Sequence, residues 1–167
     1  TANMNLHKNI LFFVSDREGG YGGRDIWMIK KMSNGSWSSP ENLGEPINTE
    51  YDEESPYFHP DGKTLYFSST GHKTIGGFDI FKSILDNDLN WSSPVNMGYP
   101  INTVNDDLFF TPSIDGKTAY FSSIRERGKG NYDIYKISLP FNDENNLSIY
   151  KGILKNERAE ILKNYNI

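Results

Sequence analysis

Gly22-Gly23-Arg24-Asp25-Ile26 returns as Gly76-Gly77-Phe78-Asp79-Ile80, and again as Gly130-Asn131-Tyr132-Asp133-Ile134. The aspartates keep a constant step, 79 − 25 = 54 and 133 − 79 = 54 residues. Other landmarks repeat on the same step. Trp37-Ser38-Ser39-Pro40 matches Trp91-Ser92-Ser93-Pro94, and Pro46-Ile47-Asn48-Thr49 matches Pro100-Ile101-Asn102-Thr103. Asp61-Gly62-Lys63-Thr64 matches Asp115-Gly116-Lys117-Thr118. A fixed period of this size is one supersecondary unit repeated, each copy burying its apolar faces against its neighbours. Asp25, Asp79, Asp133, Trp37, Trp91, Asn48, Asn102, Asp61 and Asp115 are the residues that define it.

The middle copy is the clearest. Ser55-Pro56-Tyr57-Phe58-His59 is a short apolar run that stops at Pro60-Asp61-Gly62-Lys63, and Thr64-Leu65-Tyr66-Phe67-Ser68-Ser69 follows. Asp-Gly between two such runs predicts a hairpin, because glycine supplies the positive φ of a tight turn. After the glycine-rich loop 71–77, residues 78–84 alternate, with Phe78 and Ile80 on one face and Asp79, Phe81 and Ser83 on the other. Residues 90–96 read as a weaker fourth strand, and Pro94 suggests an outer edge. Four antiparallel strands per repeat describe a β-propeller blade, so the expected class is all-β. Repeats over about 10–63, 64–117 and 118–139 make a partial ring of about two and a half blades, within a propeller domain 1–139. Propellers usually close with about four to eight blades. The missing blades are expected in a larger ring or in further chains, and the absence of an initiator Met at Thr1 suggests a processed product or an excerpt. Residues 140–146 read as a linker. Residues 147–167 read as the truncated start of a further, β-sandwich-like domain, with a short helix over 157–163 as the alternative.

Composition limits the function classes. The mean hydropathy of −0.63 reads as a soluble chain, with no run long enough for a membrane helix. A net charge of −5 argues against nucleic acid as a partner. With no Cys, disulfides, thiolate metal sites and cysteine catalysis are excluded.

The candidate chemistry is sparse. No glycine-rich loop spells a P-loop or leads into a helix, so turn geometry is the expected role of those glycines. The repeated Asp25, Asp79 and Asp133 admit a catalytic or metal reading. Repetition favours a structural one, in which each carboxylate accepts loop N–H groups. Asp52-Glu53 aligns with Asp106-Asp107, and these acids with nearby Asn oxygens suit Ca²⁺ in principle, but the EF-hand spacing is absent. A glycosidase would need two carboxylates facing one pocket, roughly 5–10 Å apart. The histidines, His7, His59 and His72, have no metal-ligand spacing. Arg17, Lys73, Arg125 and Arg127 fall in equivalent loops. They read either as a partner-binding basic rim or as solvated charges. No catalytic residue, cofactor or metal ligand is expected.

The motif order Ser-Pro-x-x-x-x-Asp-Gly-Lys-x-Leu-Tyr-Phe-Ser-Ser, Gly-Gly-x-Asp-Ile, Trp-Ser-x-Pro-x-Asn-x-Gly-x-Pro-Ile-Asn-Thr resembles the TolB-like, WD-repeat-like propeller of Bacteroidetes OmpA-family envelope proteins over about residues 10–139. The tail Ile149-Tyr150-Lys151-Gly152-Ile153-Leu154 is similar to the opening of the β-sandwich that often follows such propellers. The resemblance implies a non-catalytic protein-interaction scaffold in the periplasm or on the periplasmic face of the outer membrane. Its implied partners are envelope proteins, the type IX secretion system among them, with peptidoglycan held through domains outside this chain. The alternative function is a propeller that binds or cleaves glycans.

Overall fold

Apolar alternation between glycine and Asp-Gly turns produces strands and nothing else among the described residues. The structure is a computed structural model that describes residues 1–139; the expected linker 140–146 and the expected sandwich start 147–167 lie outside them. The first sheet holds β1 (Ala2–Met4), β2 (Ile10–Ser15), β3 (Asp25–Lys30) and β4 (Glu41–Asn42). The second holds β5 (Glu53–Phe58), β6 (Thr64–Ser69), β7 (Asp79–Ile84) and β8 (Val95–Asn96). The third holds β9 (Asp107–Pro112), β10 (Thr118–Ser123) and β11 (Asp133–Ser138). Each sheet is an open antiparallel meander in chain order. The fold is all-β, with two four-stranded sheets and one three-stranded sheet.

Two boundaries differ from those expected. Strand β1 precedes residue 10, where the repeat first becomes recognisable, and it pairs with β2 through Asn3↔Phe12. Its turn hides it, because Lys8 takes φ 54° where Gly62 and Gly116 take 75° and 65°. Asn5 holds that turn by accepting from the Asn9 and Ile10 amides, both at 3.0 Å. The sheets also divide in the connectors 43–52 and 97–106, rather than at 63/64 and 117/118, which are hairpin turns inside a sheet. The fourth strand expected over 90–96 shortens to Val95–Asn96, with Trp91 reduced to a single bridge to Leu85. Pro94 has no N–H to extend the ladder.

Both faces of the second sheet are covered. On β7, Phe81 joins a core with Phe12, Ile26, Ile47, Phe58, Leu65 and Phe67, against the first sheet. The next residue back, Ile80, joins Ile101, Phe110, Ala119 and Phe121 against the third. Strict alternation therefore sends neighbouring side chains into different cores. Ile47 and Ile101, from the connectors, are 0% and 5% exposed wedges at the sheet boundaries. Each such side chain contributes about 1.5–3 kcal/mol of burial. The first strands of the second and third sheets lie against the sheet before them. β5 touches β1, β2 and β3, and β9 touches β5, β6 and β7. The Phe58 amide also donates to Asn3 Oδ1 at 2.9 Å across the first boundary. A bulge recurs at one repeat position, where Ser55 and Phe109 take φ 53° and 58° and the register shifts beside them.

Candidate functional site

The repeated polar residues build the joints between sheets. Asp25 Oδ2 accepts from the Tyr21 amide at 2.6 Å and from Asn42 Nδ2 at 2.8 Å. Asn42 Oδ1 in turn accepts from Asn48 Nδ2 at 2.7 Å. Asn48 then clasps the backbone of Ile26, accepting from its N–H and donating to its carbonyl, both at 2.9 Å. The second copy repeats every step. Asp79 accepts from the Ile75 amide and Asn96, Asn96 accepts from Asn102, and Asn102 clasps Ile80 at 2.8 Å on both sides. Oδ1 of Asp25 and of Asp79 is buried with no donor, so the Oδ2 bonds are the whole support of each carboxylate. Asp133 accepts from the Lys129 amide at 2.7 Å. Asp25 and Asp79 are thus each held by a loop amide and a carboxamide, and Asp133 by a loop amide.

The acid pairs lock the connectors. Asp52 Oδ1 accepts from the Arg24 amide at 2.8 Å, and its Oδ2 lies 3.1 Å from the Arg24 guanidinium, which also pairs with Glu54. Asp106 accepts from the Phe78 amide at 3.0 Å and from the Tyr132 hydroxyl at 2.8 Å. Glu53 and Asp107 are fully buried. Glu53 accepts from the Thr49 amide and from the Thr49 and Ser69 hydroxyls. Asp107 accepts from the Thr103 amide at 2.6 Å and the Thr103 hydroxyl at 3.0 Å. These four acids are thus committed to protein donors, and the inner member of each pair does not face solvent. Among the described residues, no three His, Asp or Glu side chains converge as a metal site.

Burial pushes the Glu53 and Asp107 carboxyls above their ordinary values of 4.5 and 3.8, against hydrogen bonds that lower them. At Asp61, burial acts upward, but the bonds from His59, Thr64 and Lys63 outweigh it and hold the carboxyl far below the usual range. The signs are therefore opposite. The raised pair supports folding fully below its unfolded values and loses that support as pH rises through its folded values. Asp61 supports folding above 3.8 and loses that support as pH falls towards its depressed value. Urea midpoints are expected to rise as pH drops from 7 towards 5, then fall below about pH 4. In Glu53→Gln/Asp107→Asn the rise should vanish and the acid fall should remain; a rise persisting in that variant would refute the assignment.

The glycines are needed for closeness more than for φ. A Cβ on Gly22 would stand 2.2 Å from the Glu50 carbonyl carbon, and one on Gly76 would stand 2.2 Å from the Val104 carbonyl oxygen. Turn geometry alone, the expected role, holds for Gly62 and Gly116 but not for this pair.

The four basic positions have different surroundings. Arg17 lies over the Phe13 and Trp27 rings and donates to Ser15 Oγ at 3.1 Å. Arg125 repeats this over Phe121 and Tyr135 with Ser123, and adds bonds to the Pro100 and Ile101 carbonyls at 2.6 and 3.2 Å. In the middle copy His72 stands there, against Phe67 and Phe81 and 3.0 Å from the Ile47 carbonyl. Burial pushes its imidazole below the ordinary value. Lys73 and Arg127 are exposed. Arg17, which is exposed, and the half-buried Arg125 thus both lie over aromatic rings. The remaining markers hold turns and edges. Asp61 accepts from the Lys63 and Thr64 amides, Asp115 from Lys117 and Ser113, and Trp91 meets Phe58 edge-on at 6.2 Å. Trp37 bridges Lys31 and remains 39% exposed.

Above the joints, the loops before β3 and β7 and the two connectors form one exposed rim. Its residues change from copy to copy. Positions 24, 78 and 132 are Arg, Phe and Tyr, positions 45 and 99 are Glu and Tyr, and positions 50 and 104 are Glu and Val. Tyr21, Tyr51, Tyr99 and Val104 are 53%, 53%, 83% and 74% exposed. A cleft of about 770 Å³ opens there between the first two sheets, lined by Tyr21, Glu45, Tyr51, His72 and Lys73 among others. Sequence reading missed these tyrosines, because it sought what repeats. The signal that finds them is the opposite one, the failure to repeat inside a repeating loop. No family model matches this chain, and no curated protein matches it.

Proposed function

We propose that the three sheets are blades of a β-propeller-like array that serves as a non-catalytic docking scaffold, with the loop rim as its partner surface. The radial reading draws support from the meander order within each sheet and from the mutual approach of the first strands. One observation carries the function: the joints are near-identical between copies, while the rim above them differs and exposes tyrosines. Tyrosine is enriched at protein interfaces, and a rim that differs at each copy presents one asymmetric partner with a unique surface. The resemblance to envelope propellers adds the setting: a Gram-negative periplasm or the periplasmic side of the outer membrane, with type IX secretion or peptidoglycan-linked proteins as partners.

The test places a photo-crosslinking amino acid at Tyr51 or Tyr99 in the intact parent protein, in cells, and identifies adducts by mass spectrometry. Recovery of envelope proteins supports the docking surface. No protein adduct, together with retention of the purified chain on polysaccharide, transfers the rim to the glycan-binding reading.

A further inference from the structure

Arginine recurs at one place in the repeat, and the middle copy lacks it. Arg17 and Arg125 each lie over two rings of their own sheet and donate from Nε to the serine two residues earlier, Ser15 or Ser123, at 3.1 Å. Arg125 also ties the second joint, through the Pro100 and Ile101 carbonyls. One repeat step from either arginine lands on Gly71. A Cβ there would collide with Thr49 Oγ1, which is fixed by its bond to Glu53, so this position cannot grow an arginine of its own. His72, the next residue, covers the Phe67 and Phe81 rings instead and meets the Ile47 carbonyl at 3.0 Å. The Pro46 carbonyl, the counterpart of Pro100, accepts no bond among the described residues.

The cleft of about 770 Å³ opens at this place, and Tyr21, Pro46, Tyr51, Gly71 and His72 are among its walls. The Tyr21 ring lies against Gly44, and Gly22 beside it presses on the Glu50 backbone, which brings Glu45 and Glu50 near one ring. Both carboxylates are exposed, and neither has a hydrogen bond or ion pair among the described residues. At the second joint the positions of Tyr21, Glu45 and Glu50 are Ile75, Tyr99 and Val104. The free carboxylates therefore stand over the joint that lacks a guanidinium and are absent over the joint that has one.

From this we infer that the cleft between the first and second sheets takes an arginine side chain presented by a partner protein. The inference rests on the docking reading above and names the side chain by which the partner is held. A guanidinium is planar and weakly hydrated, stacks on aromatic faces and donates in several directions at once. The cleft offers it tyrosine rings, the unused Pro46 carbonyl and two carboxylates. A lysine ammonium would meet the same charges without the stacking plane. Lys73 also lines the cleft and opposes a cation. Burial holds the His72 imidazole below its ordinary value, so it adds no charge at neutral pH. Arginine is also among the residues that dominate binding at protein interfaces.

The test titrates the full 167-residue chain, isotope-labelled, with N-acetylarginine methylamide and follows the backbone amides by NMR. The amides of Tyr21, Gly71 and His72 should shift with a Kd of about 1–10 mM. The citrulline analogue, of similar shape but uncharged, and the lysine analogue should each bind at least about 5-fold more weakly. Glu45→Gln/Glu50→Gln should weaken the arginine probe at least about 5-fold, and Lys73→Glu should tighten it about 3-fold. All three positions are exposed, so these variants keep the fold. The proposal is overturned if those amides do not move, whatever fills the cleft instead. It is equally overturned if the citrulline analogue binds as well as arginine, or if Lys73→Glu weakens the probe. Envelope-protein adducts at Tyr51 in cells, without any response to the arginine probe, remove this inference and leave the docking function standing. A response to the probe without any protein adduct supports the arginine site and removes the docking function.

Discussion

Gly76→Ala is expected to destabilise the chain by about 3 kcal/mol, lowering Tm by about 10 °C, while Gly130→Ala stays within about 0.5 kcal/mol. Both glycines occupy the same position of the repeat, so propensity and loop sequence predict equal effects. The difference lies in what faces them. The added methyl at position 76 would meet the Val104 carbonyl at 2.2 Å, and that neighbour is backbone, which cannot rotate aside. The connector must retreat as a body. It carries Asp106, which holds the Phe78 amide, and Ile101, which seals the second core. Among the described residues, the methyl at position 130 meets only the Tyr132 carbonyl at 4.0 Å. Denaturant and thermal midpoints of the two variants decide the matter. Equal losses would mean that the loop's own conformation, and not the joint, requires glycine.

Asn102→Ala is expected to cost about 3 kcal/mol, and Asn102→Asp at least as much at pH 7. Asn102 is fully buried and makes three bonds, with the Ile80 N–H, the Ile80 carbonyl and Asn96 Oδ1. Alanine leaves the Ile80 N–H without its acceptor in a buried boundary, and an unmade buried bond costs about 1–3 kcal/mol. Aspartate keeps that acceptor but turns the two donated bonds into contacts between acceptors, one of them charged. The introduced carboxyl is therefore raised in the folded state, and the deficit should shrink as pH falls through its folded value. Urea midpoints at pH 7 and pH 5 separate the two variants. An aspartate variant with no recovery at pH 5 would show that the Asn102 amide does not donate as assigned.

Much of the architecture was legible because local and long-range signals agree. Asp61-Gly62 and Asp115-Gly116 turn where expected, and the alternation at Ile80 and Phe81 separates two cores. Strand β1 was not legible, since Lys8 occupies a left-handed turn position that usually identifies itself by glycine. The division into sheets was not legible either. A period fixes the step between copies and says nothing of where each begins; here the connectors fix it, through Ile47 and Ile101. The aspartates of the repeat could be read as loop acceptors. That Asn48 and Asn102 clasp a strand 22 residues earlier could not, because a carboxamide carries no periodic signature of its partner. The aromatic plates under Arg17 and Arg125 depend on cross-strand register, which spacing alone does not give.

Among the described residues, no strand of the first sheet contacts a strand of the third. Cohesion passes only between neighbours, so freeing an end sheet breaks one joint, whereas freeing the middle one breaks two. Such a chain has a built-in order of disassembly from its ends inward. Pulled by its termini, it would yield in steps rather than all at once, and the second sheet, covered on both sides, would be the last to let go.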